Sequence, residues 1–389
     1  MRCYVILKKK LIVGTVITPL LLILVFFLGK EKVVKEDEGS KQFIDEQTKV
    51  EEQLKMESYP PFIDSTETNK RPLLKYRSDD FQGGMNIQIY GHPDMEEVRN
   101  VFNHLRNIGI NSVALNFPFY QSNWQANEVS TSPEDTPTIT ELQKIIEIAH
   151  STELSVMIKP IMDEQVFSSS NMWRGQIKPT DPDSWFESYH AFILTYAKLA
   201  ESTNAKLLNI GTELNSMQSN FQDKWKELIE SVRQVYKGRL LYSFNYDTVS
   251  EIPSIEFVKL LDYVGIDAYF PLDLPNGATV KMLEEEWRNQ MMQLESALWQ
   301  YSLIVTEAGI LPIAGAYRTP YAWSFPDGTF DSQAQSNYYE ATFNIWKPKT
   351  EGIYWWAVIL GDRSNDITYS PLELPAEEVL KKHLLQTPY

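Results

Sequence analysis

Residues 206–216 read KLLNIGTELNS. Leu207, Leu208 and Ile210 make a strongly apolar run, and it carries the chain straight into Glu213. A carboxylate at the mouth of a buried strand is costly unless it is solvated, paired or chemically useful. The same figure recurs at 301–310, YSLIVTEAGI, where another apolar run ends in Glu307. Whether these are two separate ion pairs or one site depends on how the strands between them are arranged.

Six more short runs of apolar, β-branched or aromatic residues begin at residue 84. They are GMNIQIY (84–90), NSVALNFPFY (111–120), LSVMIKPIMD (154–163), RLLYSFNYD (239–247), DYVGIDAYF (262–270) and GIYWWAVIL (352–360). Amphipathic patterns fall between them: MEEVRNVFNHLRNIG, which closes on Gly109 as a C-cap, then ITELQKIIEIAH, PDSWFESYHAFILTYAKLAES and DKWKELIESVRQVY. KMLEEEWRNQMMQLESALWQ, SQAQSNYYEATFNIW and PAEEVLKKHLL continue the series. This alternation is the signature of βα units and a parallel sheet. Eight strands, each followed by a helix, over roughly 300 residues is the count and size of an α/β (β/α)8 TIM barrel. A doubly wound open sheet is the runner-up, but it would usually show a Gly-rich phosphate loop after its first strand, and GMNIQIYGHPD lacks that spacing.

The N-terminus reads as an address. Leu11 to Gly29 contains no charged residue and is about long enough to cross a bilayer as a helix. Arg2, Lys8, Lys9 and Lys10 precede it, which puts residues 1–10 in the cytoplasm and the rest outside. A cleavable signal would have a shorter apolar region and a small-x-small site; FFLGKEK offers no good one. Residues 11–29 are therefore read as a retained transmembrane anchor, with a secreted protein as the alternative. Residues 30–75 are a charged tether, and 76–389 the barrel domain.

Composition closes off other classes. The 389 residues carry a formal net charge of −16, and no basic patch lies beyond the N-terminus, which argues against a nucleic-acid partner. The single cysteine, Cys3, precedes the apolar segment, so the barrel domain can hold no disulfide or zinc–thiolate site. His92, His104, His150, His190 and His383 are scattered without ligand spacing, and no metal or other cofactor is expected.

In a barrel of this kind catalytic groups stand at the C-terminal ends of the strands. The polar and aromatic residues there are Lys159 and Asp163 on the third strand, Glu213 and Asn215 on the fourth, and Asn245 and Asp247 on the fifth. Asp267 and Tyr269 follow on the sixth, Glu307 on the seventh, and Trp355 and Trp356 on the eighth. Glu213 and Glu307 facing across the barrel mouth have the layout that glycoside hydrolysis needs: one carboxyl donates a proton to the leaving oxygen, the other attacks the anomeric carbon. A structural ion pair explains either glutamate alone; it explains their joint placement less well. Aromatic content of 12% suits a cleft that stacks on sugar faces, and also suits a large core.

At these residues the sequence resembles glycoside hydrolase family 113 of clan A, whose known members are β-mannanases. The similar words are IKP (158–160), WRGQIKP (173–179), IGTELNS (210–216), VTEAGI (305–310), IYWWAV and YSPLELPAEEVLKK (369–382). Their order and spacing cover about residues 80–385. The resemblance implies Glu213 as acid/base, Glu307 as nucleophile, Tyr269 as a hydrogen-bond donor to that nucleophile, and Trp356 as the aromatic floor under the sugar. Two residues depart from the clan's pattern. Thr212 stands where most clan members carry Asn, a feature of family 113 itself, and Ile161 stands after KP where His is expected.

The remaining candidates are second-line. Trp173, in the loop after the third strand, either stacks on a sugar or anchors its loop. Lys159 either meets a sugar hydroxyl or neutralises Glu213 or Asp163. Asn245 and Asp267 are candidate supports for the site. Tyr321, Trp323 and Phe325, in the long loop 317–335, either wall a subsite or pack over the rim. The expected activity is a retaining endo-β-1,4-mannanase acting on an oligo- or polysaccharide. The alternatives are a glycosidase for a cell-wall or capsule glycan, or a barrel that binds carbohydrate without cleaving it.

Overall fold

Each of the eight apolar runs overlaps one parallel strand, and the strands close into a barrel in sequence order. They are β1 (Gln82–Gln88), β2 (Ser112–Phe119), β3 (Ser155–Met162), β4 (Leu207–Thr212), β5 (Arg239–Asn245), β6 (Tyr263–Asp267), β7 (Leu303–Ala308) and β8 (Gly352–Ile359). The computed structural model describes residues 81–167, 170–361 and 367–385. The anchor at 11–29 and the tether at 30–75 lie outside the described residues. Among the described residues no helix is long and apolar enough to cross a membrane.

The outer layer is α1 (Met95–Asn107), α2 (Ile139–Ser151), α3 (Pro182–Thr203), α4 (Asn215–Gln218), α5 (Gln222–Val235), α6 (Val280–Leu298), α7 (Ser332–Trp346) and α8 (Pro375–Leu384). Local chemistry sets their ends. Thr138 and Glu141 form a reciprocal capping box on α2, and Asp181 caps α3 with Pro182 in its first turn. Asn204 closes α3 in the left-handed conformation that Asn tolerates.

One expectation is corrected. No α-helix follows β5; the chain makes two 3-10 segments, Tyr246–Ser254 and Glu256–Leu260. Pro253 lies inside the first of them, where it lacks an N–H and its ring would clash with a longer helix.

The barrel interior is filled in tiers. The lowest is an apolar plug of Ala114, Met157, Leu207, Leu241, Ile304 and Tyr354, all fully buried. Gly84 makes room for it, because a Cβ there would stand 2.2 Å from the Tyr354 ring. The Tyr354 hydroxyl escapes the plug by bonding Ser112 Oγ at 2.6 Å and Gln82 Oε1 at 2.8 Å. One tier up, polar side chains bond one another. Asn116 Nδ2 donates to Asn86 Oδ1 at 3.0 Å, and Asn86 Nδ2 donates to the Thr306 carbonyl at 3.0 Å. Asn209 Nδ2 donates to Ser243 Oγ at 2.7 Å.

Register shifts gather toward the mouth. Strict alternation would send only one of Thr306 and Glu307 into the barrel. The β6–β7 pairing instead steps from Ile266↔Val305 to Asp267↔Glu307, and β7–β8 shifts between Val305 and Ala308. Such irregularities re-aim side chains. Here they let Thr306 reach Asp267 while Glu307 also faces inward.

Candidate active site

Glu307 is the penultimate residue of β7 and is held by two donors. The Tyr269 hydroxyl donates to Oε2 at 2.9 Å, and the Lys159 ammonium bonds Oε1. Lys159 is wholly buried and also lies 3.6 Å from Asp267 Oδ1. It therefore serves Glu307 and Asp267, not Glu213 or Asp163, and has no surface left for a sugar hydroxyl. Asp267 takes a second bond from Thr306 Oγ1 at 2.7 Å. Burial and the nearby Glu307 carboxylate push Asp267 up to about 7, against the opposing pull of Lys159 and Thr306.

Glu213 follows β4 with φ of 54°, in the left-handed region. A non-glycine residue held there costs of order 1–3 kcal/mol, and such strain clusters at working sites. The conformation is fixed from both sides. The Glu213 N–H donates to the Ser243 carbonyl at 2.9 Å, and the Leu214 N–H donates to the Tyr242 hydroxyl at 3.1 Å. Thr212, ahead of it, accepts from Asn209 Nδ2 at 3.2 Å. Burial raises Glu213 well above the usual carboxylate range; Arg174 lowers it, and Asp267, Glu307 and Glu164 raise it further. Its Oε1 is buried with no hydrogen-bond partner among the described residues.

A cleft opens beside these groups, on the side of β1 to β3. Its walls include Tyr90, Asn116, Ile161, Asp163, Trp323 and Trp356. Arg174 and Trp356 are both part of its wall. Glu213 lies behind the first at 3.0 Å, and Lys159 stands 5.6 Å from the ring centroid of the second. Ile161, in the place where His was expected, presents an apolar side chain to this space. Trp323 meets Trp356 edge-on at 6.0 Å and Tyr369 at 5.3 Å. Its loop is pinned by the Tyr369 hydroxyl, which donates to the Pro320 and Ala322 carbonyls at 2.6 and 2.9 Å.

Other candidates take different places. A Cβ on Gly175 would stand 2.3 Å from the Trp173 ring, so that ring is packed over its own loop. Asn245 caps the 3-10 segment after β5, its Oδ1 accepting from the Asp247 N–H at 3.4 Å. Asp247 accepts from Asn215 Nδ2 at 3.2 Å, away from Glu307. Tyr321 stacks on Tyr246 at 5.9 Å. Sequence reasoning passed over Arg174 and Glu164. Arg174 Nε meets Glu164 Oε1 at 2.9 Å, and both residues line the cleft. The signal was there, in the acidic pair 163–164 and in the basic residue of WRG. Among the described residues no group of three or more His, Cys, Asp or Glu side chains is arranged to hold a metal ion.

Comparison with known proteins follows the same outline. The model of the family described as Glycoside Hydrolase Family 113 matches residues 88–360. A solved GH113 beta-1,4-mannanase superposes with a TM-score of 0.68 at 24% identity, over 79% of this chain and 100% of that one. The GH113 beta-mannanase AaManA from Alicyclobacillus acidocaldarius, solved in complex with ManMIm, gives 0.66 at 22%, over 78% and 97%. Ruminococcus gnavus beta-glucuronidase gives 0.56 at 11%, over 79% of this chain and 50% of that one. At these identities the likeness is one of fold. No curated protein matches the chain.

Proposed function

The chain belongs to glycoside hydrolase family 113, and on that premise we propose that it is a retaining endo-β-1,4-mannanase with Glu213 as acid/base and Glu307 as nucleophile. The observation that carries this reading is the opposite surroundings of the two glutamates. Glu307 receives an ammonium and a phenol, one on each carboxylate oxygen. Glu213 is raised by burial and by three nearby carboxylates, which favour the protonated acid. Two carboxyl groups whose environments pull apart in this way divide into an acid and a nucleophile.

In the first step a Glu307 oxygen bonds to the anomeric carbon. The glycosidic C–O bond breaks, its electron pair goes to the leaving oxygen, and Glu213 supplies the proton. In the second, Glu213, now a carboxylate, takes a proton from water. The water oxygen bonds to the same carbon and Glu307 departs as a carboxylate. Two inversions at one carbon give net retention. Trp356 and Trp323 offer aromatic faces along the cleft for apolar sugar surfaces. The mannan preference is supported by the solved GH113 relatives, which are β-mannanases.

A glycan panel tests the substrate: the purified protein should shorten β-1,4-mannan to oligomannosides, read by mass spectrometry. Cleavage of a different polymer alone would replace mannan in this reading. Residues 11–29 are proposed to tether the enzyme outside the cell. N-terminal sequencing of the exported protein would remove the tether if the chain began near residue 30.

A further inference from the structure

Arg174 is built to point at Glu213. It opens a short 3-10 turn, Arg174–Gln176, that is stiffened by the Trp173 ring over Gly175. Its Nε edge is held by the end of β3: it donates to the Met162 carbonyl at 3.1 Å and meets Glu164 Oε1 at 2.9 Å. The Arg174 backbone N–H donates to the same Glu164 oxygen at 3.3 Å. A guanidinium is a rigid plane, so fixing one edge fixes where the other points. The other edge delivers Nη1 to Oε2 of Glu213 at 3.0 Å.

The two oxygens of Glu213 therefore differ. Oε2 faces a cation, which repels a proton. Oε1 is buried and has no partner among the described residues. We propose that Arg174 is the positioning residue of the general acid: by occupying Oε2 it places the transferable proton on Oε1, and it then steadies the carboxylate that remains after transfer. This rests on the reading of Glu213 as acid/base. The proton passes from Oε1 to the glycosidic oxygen as the C–O bond breaks, leaving a carboxylate beside the Arg174 cation.

Several charged or titratable groups face Glu213: Arg174 and Glu164 from the loop after β3, Asp267 from β6, Glu307 from β7, and Tyr242 and Tyr246 on or just after β5. Among those acting on Glu213, Arg174 is the one that pulls its titration down. Removing it should therefore move the Glu213 midpoint up.

The test uses Arg174→Gln and Arg174→Lys in the full chain, with two readouts. The first is carboxyl 13C NMR titration of Glu213, identified by its loss in Glu213→Gln; this needs no substrate. Arg174→Gln should raise the midpoint by about one unit or more, and Arg174→Lys should largely restore it. The second is kcat/KM against pH on a mannooligosaccharide and on an aryl β-mannobioside with an activated phenol. Arg174→Gln should lose about 10²-fold on the first substrate and far less on the second, since an activated phenol leaves without a proton. The alkaline limb should move up with the midpoint. Equal losses on both substrates with an unmoved midpoint would make Arg174 merely structural and overturn the proposal, as would wild-type behaviour. Glu213→Ala separates the two readings. If it spares the unactivated substrate, the acid assignment itself falls, whatever Arg174 does.

Discussion

Met157 and Lys159 are two residues apart on β3, both wholly buried inside the barrel, and they obey opposite rules. Met157 belongs to the plug, where six side chains from six strands exclude water and ask only for volume. Lys159 belongs to the mouth, where each group is tolerated only because another compensates it: Lys159 for Glu307 and Asp267, Arg174 for Glu213 and Glu164. Between them lies the Asn–Ser–Thr tier, polar but uncharged. The polarity of the filling rises along one strand direction. The apolar packing inside the barrel is thus concentrated at one end and the proposed chemistry at the other.

The largest effect should come from breaking the mouth. Lys159→Met swaps the ammonium for a side chain of similar length and leaves Asp267 and Glu307 without their cation. Removing one partner of a buried pair costs about 3–5 kcal/mol. Loss of one donor from the nucleophile should also lower kcat by about 10²-fold or more. Denaturant unfolding and initial rates check both. If the variant is as stable and active as the parent, the mouth is not held by charge and the contrast collapses.

Leu241→Ala tests the other end. A fully buried leucine in the plug should cost about 2–5 kcal/mol of stability. The activity of the protein that remains folded should not change. A fall in kcat at a temperature where the variant is fully folded would mean that the two ends are coupled.

The smallest effect is a pH slope. Asp267 is raised from 3.8 to about 7 by burial first and by Glu307 second. The folded state thus holds its proton more tightly than the unfolded chain does. That contribution to stability is complete below about pH 4 and fades as pH rises through about 7. Glu213, also raised, acts in the same direction. The protein should therefore melt lower at about pH 8 than at about pH 5, and Asp267→Asn should flatten the slope relative to the parent. An Asp267→Asn profile that parallels the parent would contradict the shift.

What the sequence makes legible divides along the same line. The apolar runs located every strand, because a barrel strand buried on both faces has to be apolar whatever its neighbours. Glu213 and Glu307 were legible for the converse reason: a charge at the end of such a run has few places to go. The partner of each charge was not legible. Lys159 was expected to meet a sugar hydroxyl or to neutralise Glu213 or Asp163, yet the register shifts at β6–β7 and β7–β8 turn Glu307 toward it. A period-two pattern carries no information about a one-residue slip. Arg174 stood out only as a letter of WRGQIKP, because its role depends on a turn that packs Trp173 over Gly175. The segment after β5 looked like the place for a helix until Pro253 is given its weight. Thr212 marks the sharpest change of reading: it is the last residue of β4, and the next one leaves the strand at positive φ to present Glu213.

The most direct measurement is peptide mapping after trapping with a 2-deoxy-2-fluoro β-mannobioside that carries an activated leaving group. The fluorine slows both steps, and the good leaving group lets the first proceed, so a glycosyl ester should accumulate on the enzyme. Its mass should fall on the peptide containing Glu307 and on no other carboxylate. A label on Glu213 or elsewhere, or turnover that releases the inverted anomer, would contradict the division of labour between the two glutamates.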